Sequence, residues 1–250
     1  MNNCEITLVI PVYEEEHNIV PFITEVAEKV APNYCALIIY DYDDDNTLNK
    51  MQELMQKHHN VKFVKNMYAP GVINAFKTGF HLAETKYILP IMADLSDMPE
   101  TVNVLYKTIK TGFDVVIASR YMPGGEKIGG SRIKNFLSRF ANLSLYYLAN
   151  LPTHDLTNAF VIYRKEILKD IVIKSHGGFE LTMEIISKAL FKGHRITEIP
   201  TVNQDRSTGK SKFKLLRWIS NYFYWYIYIL YHSILFRIAN NKIKLFNQAD

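Results

Sequence analysis

Residues 87–97 read YILPIMADLSD, an apolar run that ends on two carboxylates, Asp94 and Asp97. A short apolar stretch bounded in this way is the pattern of a buried strand. Hard divalent cations take oxygen ligands, and an Asp directly after such a strand is aimed into whatever cleft lies beyond it. Asp94 is therefore the first candidate metal ligand. Asp97 stands just before Pro99, where a helix is expected to begin, so it reads as a second ligand or as a helix cap.

The same arrangement repeats outward from this stretch. Strands are expected at Ile6–Pro11, Ala36–Tyr40, Val61–Lys65, Tyr87–Met92 and Val115–Ser119, with helices over 15–30, 46–58, 71–84 and 99–111 between them. Strands alternating with helices at this spacing predict an α/β fold, a mostly parallel central sheet flanked by helices on both faces. Ligands of such sheets sit beyond the carboxyl ends of the strands. Three of these ends are polar: Tyr13-Glu14, Asp41 to Asp45, and Asp94 to Asp97. Asp45, followed by Asn46-Thr47, reads as the cap of the next helix, and Asp41 as a partner for a nucleobase or a turn former.

Beyond Ser119 the pattern loosens into a loop over 122–132 that holds Gly124, Gly125, Gly129 and Gly130. A helix over 133–150, a strand at Phe160–Tyr163, a helix near 181–192 and a strand at Ile196–Val202 complete the expected domain, residues 1–214. The segment 215–250 stands apart. From Trp218 to Phe236 it has no formal charge and is crowded with Trp, Tyr and Phe. Its nineteen residues would reach roughly 28 Å as a helix, barely a bilayer. Aromatic rings favour the headgroup level, so an in-plane interfacial helix is expected rather than a spanning one. Packing on the domain or on a second subunit is the alternative, which leaves a homo-oligomer open.

The chain has 250 residues and a formal net charge of +4, too little to argue for nucleic acid. Cys4 and Cys35 match no metal spacing, and both read as free thiols of a reducing compartment. The N-terminus lacks a signal-peptide pattern. The protein is accordingly expected at the cytoplasmic face of a membrane, held there peripherally.

Taken together, IPVYEE at 10–15, the acidic strand end at 41–47, MADLSD at 92–97, ASRY at 118–121 and Gly124-Gly125 fall in a familiar order. So do LSR at 137–139, DLTNAF at 155–160, GFE at 178–180, Asp205-Arg206 and GKSK at 209–212. The sequence resembles family 2 glycosyltransferases, in particular the dolichyl- or polyprenyl-phosphate mannose synthase group, over about residues 5–215. The resemblance implies a GT-A (nucleotide-diphospho-sugar transferase) fold and an inverting hexosyltransferase. The donor would be a GDP- or UDP-sugar, the acceptor a polyprenyl phosphate (undecaprenyl or dolichyl), the cofactor Mg²⁺ or Mn²⁺. By position, Pro11, Tyr13, Glu15 and Asp41 would line the nucleotide pocket. Asp94 would bind the metal, with Ser96 where the family often has Gln and Asp97 close by. Arg120, Lys134, Ser138, Arg206 and Lys212 would hold the lipid phosphate, with Arg120 and Arg206 taking part in catalysis. Asp155 and Glu180 would either orient sugar hydroxyls or tie loops together.

Three departures stand out. Met92 replaces the first carboxylate of the usual Asp-x-Asp. Tyr40 and Tyr42 replace the first Asp and the Gly of the usual Asp-Asp-Gly-Ser turn. Lys134 stands where the family has Arg, giving up a bidentate fork. They leave two alternatives in view: transfer to a sugar hydroxyl of a cell-surface glycan, and a degenerate protein that binds a nucleotide-sugar without turnover.

Overall fold

A computed structural model describes residues 4–178, 180–205 and 215–246. In chain order the elements are β1 (Ile6–Val12), α1 (Ile19–Lys29), β2 (Tyr34–Tyr40), a 3₁₀ turn (Asn46–Lys50), α2 (Met51–Lys57), β3 (Val61–Lys65), α3 (Val72–Leu82) and β4 (Tyr87–Pro90). They continue with α4 (Thr101–Ile109), β5 (Val115–Ser119), β6 (Glu126–Ile128), α5 (Arg132–Ala149), β7 (Val161–Arg164) and α6 (Lys165–Asp170). Last come α7 (Glu180–Phe191), β8 (Ile196–Pro200), β9 (Val202–Gln204) and α8 (Leu215–Phe246).

Seven strands form one sheet in the order β3-β2-β1-β4-β7-β5-β8, parallel except for β7, which runs against both its neighbours. The α/β reading therefore holds. Period-two side-chain alternation sorts each strand onto two cores. Ile6, Leu8, Ile10 and Val12 of β1 pack under α1, α2 and α4, whereas Val9 faces the layer of α3, α5 and α7. Gly79 lets α3 approach the sheet closely, because a Cβ there would lie 2.1 Å from Val9 Cγ1.

β1 pairs with β2 on one side and with β4 on the other, so the chain reverses its direction of winding at β1. A crevice opens beyond the carboxyl ends at such a switch point. Val12, Tyr40, Pro90 and Ser119 end their strands there, which delivers the polar segments 13–16, 41–45, 94–97 and 120–121 to one rim.

Three expectations need correction. The loop over 122–132 contains a strand, β6, and the expected strand 196–202 divides, its end becoming β9; β6 and β9 pair parallel as a second, two-stranded sheet. Cys4 and Cys35 are not free thiols but a disulfide, with Cα atoms 5.7 Å apart. Parallel pairing sets Thr7 against Cys35, so the two cysteines lie at the same end of adjacent strands, a proximity that their separation of 31 in sequence conceals. A reducing compartment thus loses its support from cysteine usage. The aromatic C-terminal segment belongs to one 32-residue helix, α8, that lies against α5 and α7 with Trp225, Ile229 and Ser233 buried. No helix among the described residues is long and apolar enough to cross a membrane.

The disulfide closes a loop with a sequence separation of 31, and chain-entropy arguments give it about 3–4 kcal/mol of stabilisation. Urea denaturation of Cys35→Ser is expected to show that loss against the oxidised protein. A loss under about 1 kcal/mol would contradict the bond's structural role.

Candidate active site

The rim is assembled from four strand ends. After β1 the chain turns sharply, and Glu14 adopts φ 56°, a left-handed conformation that a non-glycine residue keeps only when held. Asp45 holds it: both carboxylate oxygens accept from the Glu14 amide at 3.2 Å, and one also accepts from the Thr47 amide at 2.8 Å as the expected cap. Thr47 Oγ1 accepts from the Glu15 amide at 2.9 Å, and a Glu15 carboxylate oxygen accepts from Asn18 Nδ2. The segments that follow β1 and β2 are thereby locked together. Tyr13 and Tyr42 project from them, half exposed, with ring centroids 6.0 Å apart. Asp41 accepts from Asn66 Nδ2 and from the Gly71 amide at the start of α3, each at 2.8 Å, so it ties the rim to α3. Pro11 lies inside β1 itself.

Past β4, Leu95 takes φ 60° and throws the chain back across the cleft. Asp94 and Asp97 are both buried. Asp94 accepts from the Ser96 amide at 3.1 Å, which fixes the turn. Asp97 is not the cap of α4; it accepts from Asn203 Nδ2 of β9 at 2.9 Å. Burial pushes the Asp97 carboxyl up to about 6, with Asp94 and Asp155 adding to the rise and the Asn203 bond opposing it. No three His, Cys, Asp or Glu side chains among the described residues form a ready-made metal cage. Mg²⁺ needs none: it keeps several waters and is commonly held by one or two carboxylates plus substrate phosphates. Asp94 and Asp97, two carboxylates close enough to act on each other's charge, fit that donor set.

The opposite wall starts at the end of β5. Arg120 donates through Nε to Asp155 at 2.7 Å and through an η nitrogen to the other oxygen at 2.9 Å, and its backbone amide reaches the same carboxylate at 3.1 Å. This is the bidentate fork that only arginine offers. Asp155 is fully buried and the Arg120 side chain is 10% exposed. Burial pulls the guanidinium toward neutrality, but Asp155 overrides it and holds Arg120 charged. The same η nitrogen donates to Thr157 Oγ1 at 3.0 Å, and Thr157 also accepts from Asn142 of α5. One turn earlier on α5, Ser138 Oγ accepts from Tyr121 at 2.9 Å. Lys134 lies exposed on the first turn of that helix. Glu180 is buried and accepts from the Gly177 and Gly178 amides and from Asn221 of α8, the arrangement of a loop tie. Arg206 and Lys212 lie outside the described residues.

One side of the rim is thus acidic and the other basic, separated by the mouth of the crevice. Residues 7–172 match Glycosyl transferase family 2. The chain belongs to that family. Among curated relatives, it is 27% identical over 215 residues to a dolichol-phosphate mannosyltransferase of Pyrococcus furiosus, covering 84% of this chain and 59% of that protein. It is 26% identical over 211 residues to a polyprenol monophosphomannose synthase of Mycolicibacterium smegmatis, covering 82% of this chain and 79% of the relative. The chain therefore spans little more than half the length of the archaeal protein. Its fold is the GT-A fold of its solved structural neighbours. Glucosyl-3-phosphoglycerate synthase from Mycobacterium tuberculosis, in complex with Mn²⁺, UDP and glucosyl-3-phosphoglycerate, superposes with a TM-score of 0.65 at 15% identity, covering 88% of this chain and 77% of that one. S. aureus TarS 1-349 in complex with UDP-GlcNAc gives 0.59 at 18% identity, covering 84% and 62%.

The sequence reading missed Asn203, Thr157, Asn142 and Lys127 as members of this rim. The first three act through hydrogen bonds between segments far apart in sequence, which no local pattern encodes. Lys127 left a trace, as a basic residue in a glycine-rich loop, but its face was hidden until β6 was seen as a strand.

Removing one partner of a buried ion pair strands the other charge, at a cost of about 3–5 kcal/mol. Asp155→Asn is therefore expected to lose about that much stability in urea denaturation, with Arg120 as the uncompensated group. A loss below about 1 kcal/mol would show that the pair is not the keystone of this wall.

Proposed function

We propose that the protein transfers a hexose, with inversion, from a GDP- or UDP-sugar to a polyprenyl phosphate at a membrane surface. The observation that carries this reading is the pre-aimed guanidinium of Arg120, fixed by Asp155 at a strand end across the cleft from Asp94. Two relatives named for lipid-phosphate mannose synthesis support the acceptor class.

In this reaction an oxygen of the acceptor phosphate attacks the anomeric carbon from the face opposite the leaving diphosphate. The new carbon–oxygen bond forms as the bond to the β-phosphate oxygen breaks, and the nucleoside diphosphate departs with the electron pair. The acceptor is already an anion, so the chain's task is to hold and orient it rather than to deprotonate it. Arg120, Lys134 and Ser138 would hold it, with Arg206 and Lys212 on the following segment. Tyr13, Glu15 and Asp41 would border the nucleotide, beside Pro11. Mg²⁺ or Mn²⁺, held by Asp94 with Asp97 and Ser96 nearby, would neutralise the charge gathering on the diphosphate.

A hydroxyl acceptor would require a carboxylate free to take a proton. Asp155 does not offer one, since both of its oxygens accept from the Arg120 guanidinium. Glu180 is buried behind a loop whose amides it binds. These contacts favour the phosphate acceptor.

A stripe on α5 supports membrane docking. Ile133, Phe136, Phe140 and Tyr147 are each more than 60% exposed and recur at helical spacing. The outer face of α8 adds Phe223 and Tyr231. With Arg132 and Lys134 beside them, these side chains suit an anionic lipid surface approached side-on by both helices.

Arg120→Lys keeps the charge and loses the fork. It is expected to lower kcat/KM for sugar transfer to polyprenyl phosphate by on the order of 100-fold, while calorimetry shows nucleotide-sugar binding unchanged. Equal loss of donor binding would contradict the assigned side of the cleft. In flotation with anionic vesicles, Phe136→Asp/Phe140→Asp is expected to move the protein from the lipid fraction to the soluble fraction; unchanged partition would refute the docking face.

A further inference from the structure

Gly124 and Gly125 place a lysine where nothing in the sequence reading put one. Gly124 turns the chain at φ 85°. Gly125 then passes so close over the end of β5 that a Cβ would lie 2.4 Å from the Ser119 carbonyl oxygen and 2.9 Å from the Arg120 carbonyl carbon. The next residue, Glu126, donates its amide to the Thr201 carbonyl, and β6 begins directly above Arg120. Glu126 and Ile128 face outward, exposed, and Lys127 between them is partly buried.

The pairing of β6 with β9 fixes where Lys127 goes. Its register partner is Asn203. In a parallel pair, registered residues project from the same face of the ladder. Asn203 projects inward, since its amide reaches the Ser96 carbonyl at 3.1 Å and Asp97 at 2.9 Å. Lys127 accordingly projects from the face of the ladder that Asn203 turns toward Ser96 and Asp97. The charges acting on its ammonium are Arg120, Asp155, Asp205 and Lys134. Burial lowers its proton affinity, Arg120 and Lys134 lower it further, and the two aspartates oppose them. Arg120 and Lys134 thus both act on Lys127, and the described partner of Arg120, Asp155, is already committed to the fork.

We propose that Lys127 is a third cationic ligand of the acceptor phosphate, acting with Arg120 and Lys134. This rests on the acceptor assigned above. The extra charge also accounts for the lysine at position 134. A site with Lys134 in place of a forked arginine has one fewer pair of parallel donors, and a second ammonium from β6 restores the donor count from another direction.

The test compares Lys127→Met, which keeps the stem and removes the charge, with Lys127→Arg, in steady-state transfer to a short-chain polyprenyl phosphate. Lys127→Gln replaces the Met variant should that one fail to fold. The KM for the polyprenyl phosphate is expected to rise about 10- to 100-fold in the neutral variants, the range of one lost charged hydrogen bond. The KM for the nucleotide-sugar is expected to stay within about twofold, and Lys127→Arg to recover most of the loss. An unchanged acceptor KM overturns the proposal, and so does an equal rise in donor KM, the mark of a merely structural lysine. Wild-type transfer to the neutral polyprenol as readily as to its phosphate would remove the acceptor assignment, and this proposal with it. Strict phosphate dependence in the wild type combined with an indifferent Lys127→Met would overturn the lysine alone.

Discussion

A guanidinium withdrawn almost wholly from water keeps its charge only where a carboxylate meets it in fixed geometry, and Asp155 meets Arg120 with both oxygens and a backbone contact. Much of the basic wall depends on that pair. Thr157 joins Arg120 to Asn142, and Asn142 donates to the Ser138 carbonyl and accepts from the Leu156 amide, so α5 is seated against the loop that carries Asp155. The same loop is anchored from behind. Glu198 of β8 accepts from Thr153 Oγ1, from the His154 amide and from the His154 ring, which stacks on Tyr146 of α5. The Arg120 charge is thus braced from the sheet, a helix and a loop. Such pre-organisation lets a phosphate be held without reorganising the protein around it.

The acidic wall is built by other means. Asp45 joins the turns after β1 and β2, Asp41 fastens the rim to α3, and Asp97 reaches β9 through Asn203. Most of the carboxylates that look catalytic in the sequence are therefore also structural ties. Asp94, in the turn after β4, is the one proposed to meet a cation and a diphosphate together, and Met92 leaves it without a carboxylate two residues before it. Asp97 is a second carboxylate of the same turn, likewise buried, and burial raises its proton affinity.

Much of this could be read in the residues. Apolar runs with polar ends at Val12, Tyr40 and Pro90 predicted the parallel sheet and the position of its cleft, because strand burial imposes a pattern that is local in sequence. Asp94 and Arg120 were legible for the same reason, each following its strand closely. The capping role of Asp45 was legible from Asn46-Thr47. What escaped was pairing at a distance. Asp155 lies 35 residues from Arg120, β6 is only three residues long, and its partner β9 sits at the far end of the domain. Cys4 and Cys35 carry no spacing signal, and only strand register brings them together. The aromatic stripe of α8 announced a buried or interfacial face, and packing against α5 and α7 buries one side of it while leaving the other exposed.

The proposed role of the basic wall is to receive a phosphate. It is tested most directly by offering the wild-type protein labelled GDP- and UDP-sugars with polyprenyl phosphate, polyprenol or a glycan as acceptor, in the presence of Mg²⁺ or Mn²⁺. Label is expected on polyprenyl phosphate, with none on the alcohol. Label on the polyprenol or on glycan hydroxyls at a comparable rate would contradict that role, because transfer to a neutral hydroxyl makes no use of a wall of cations.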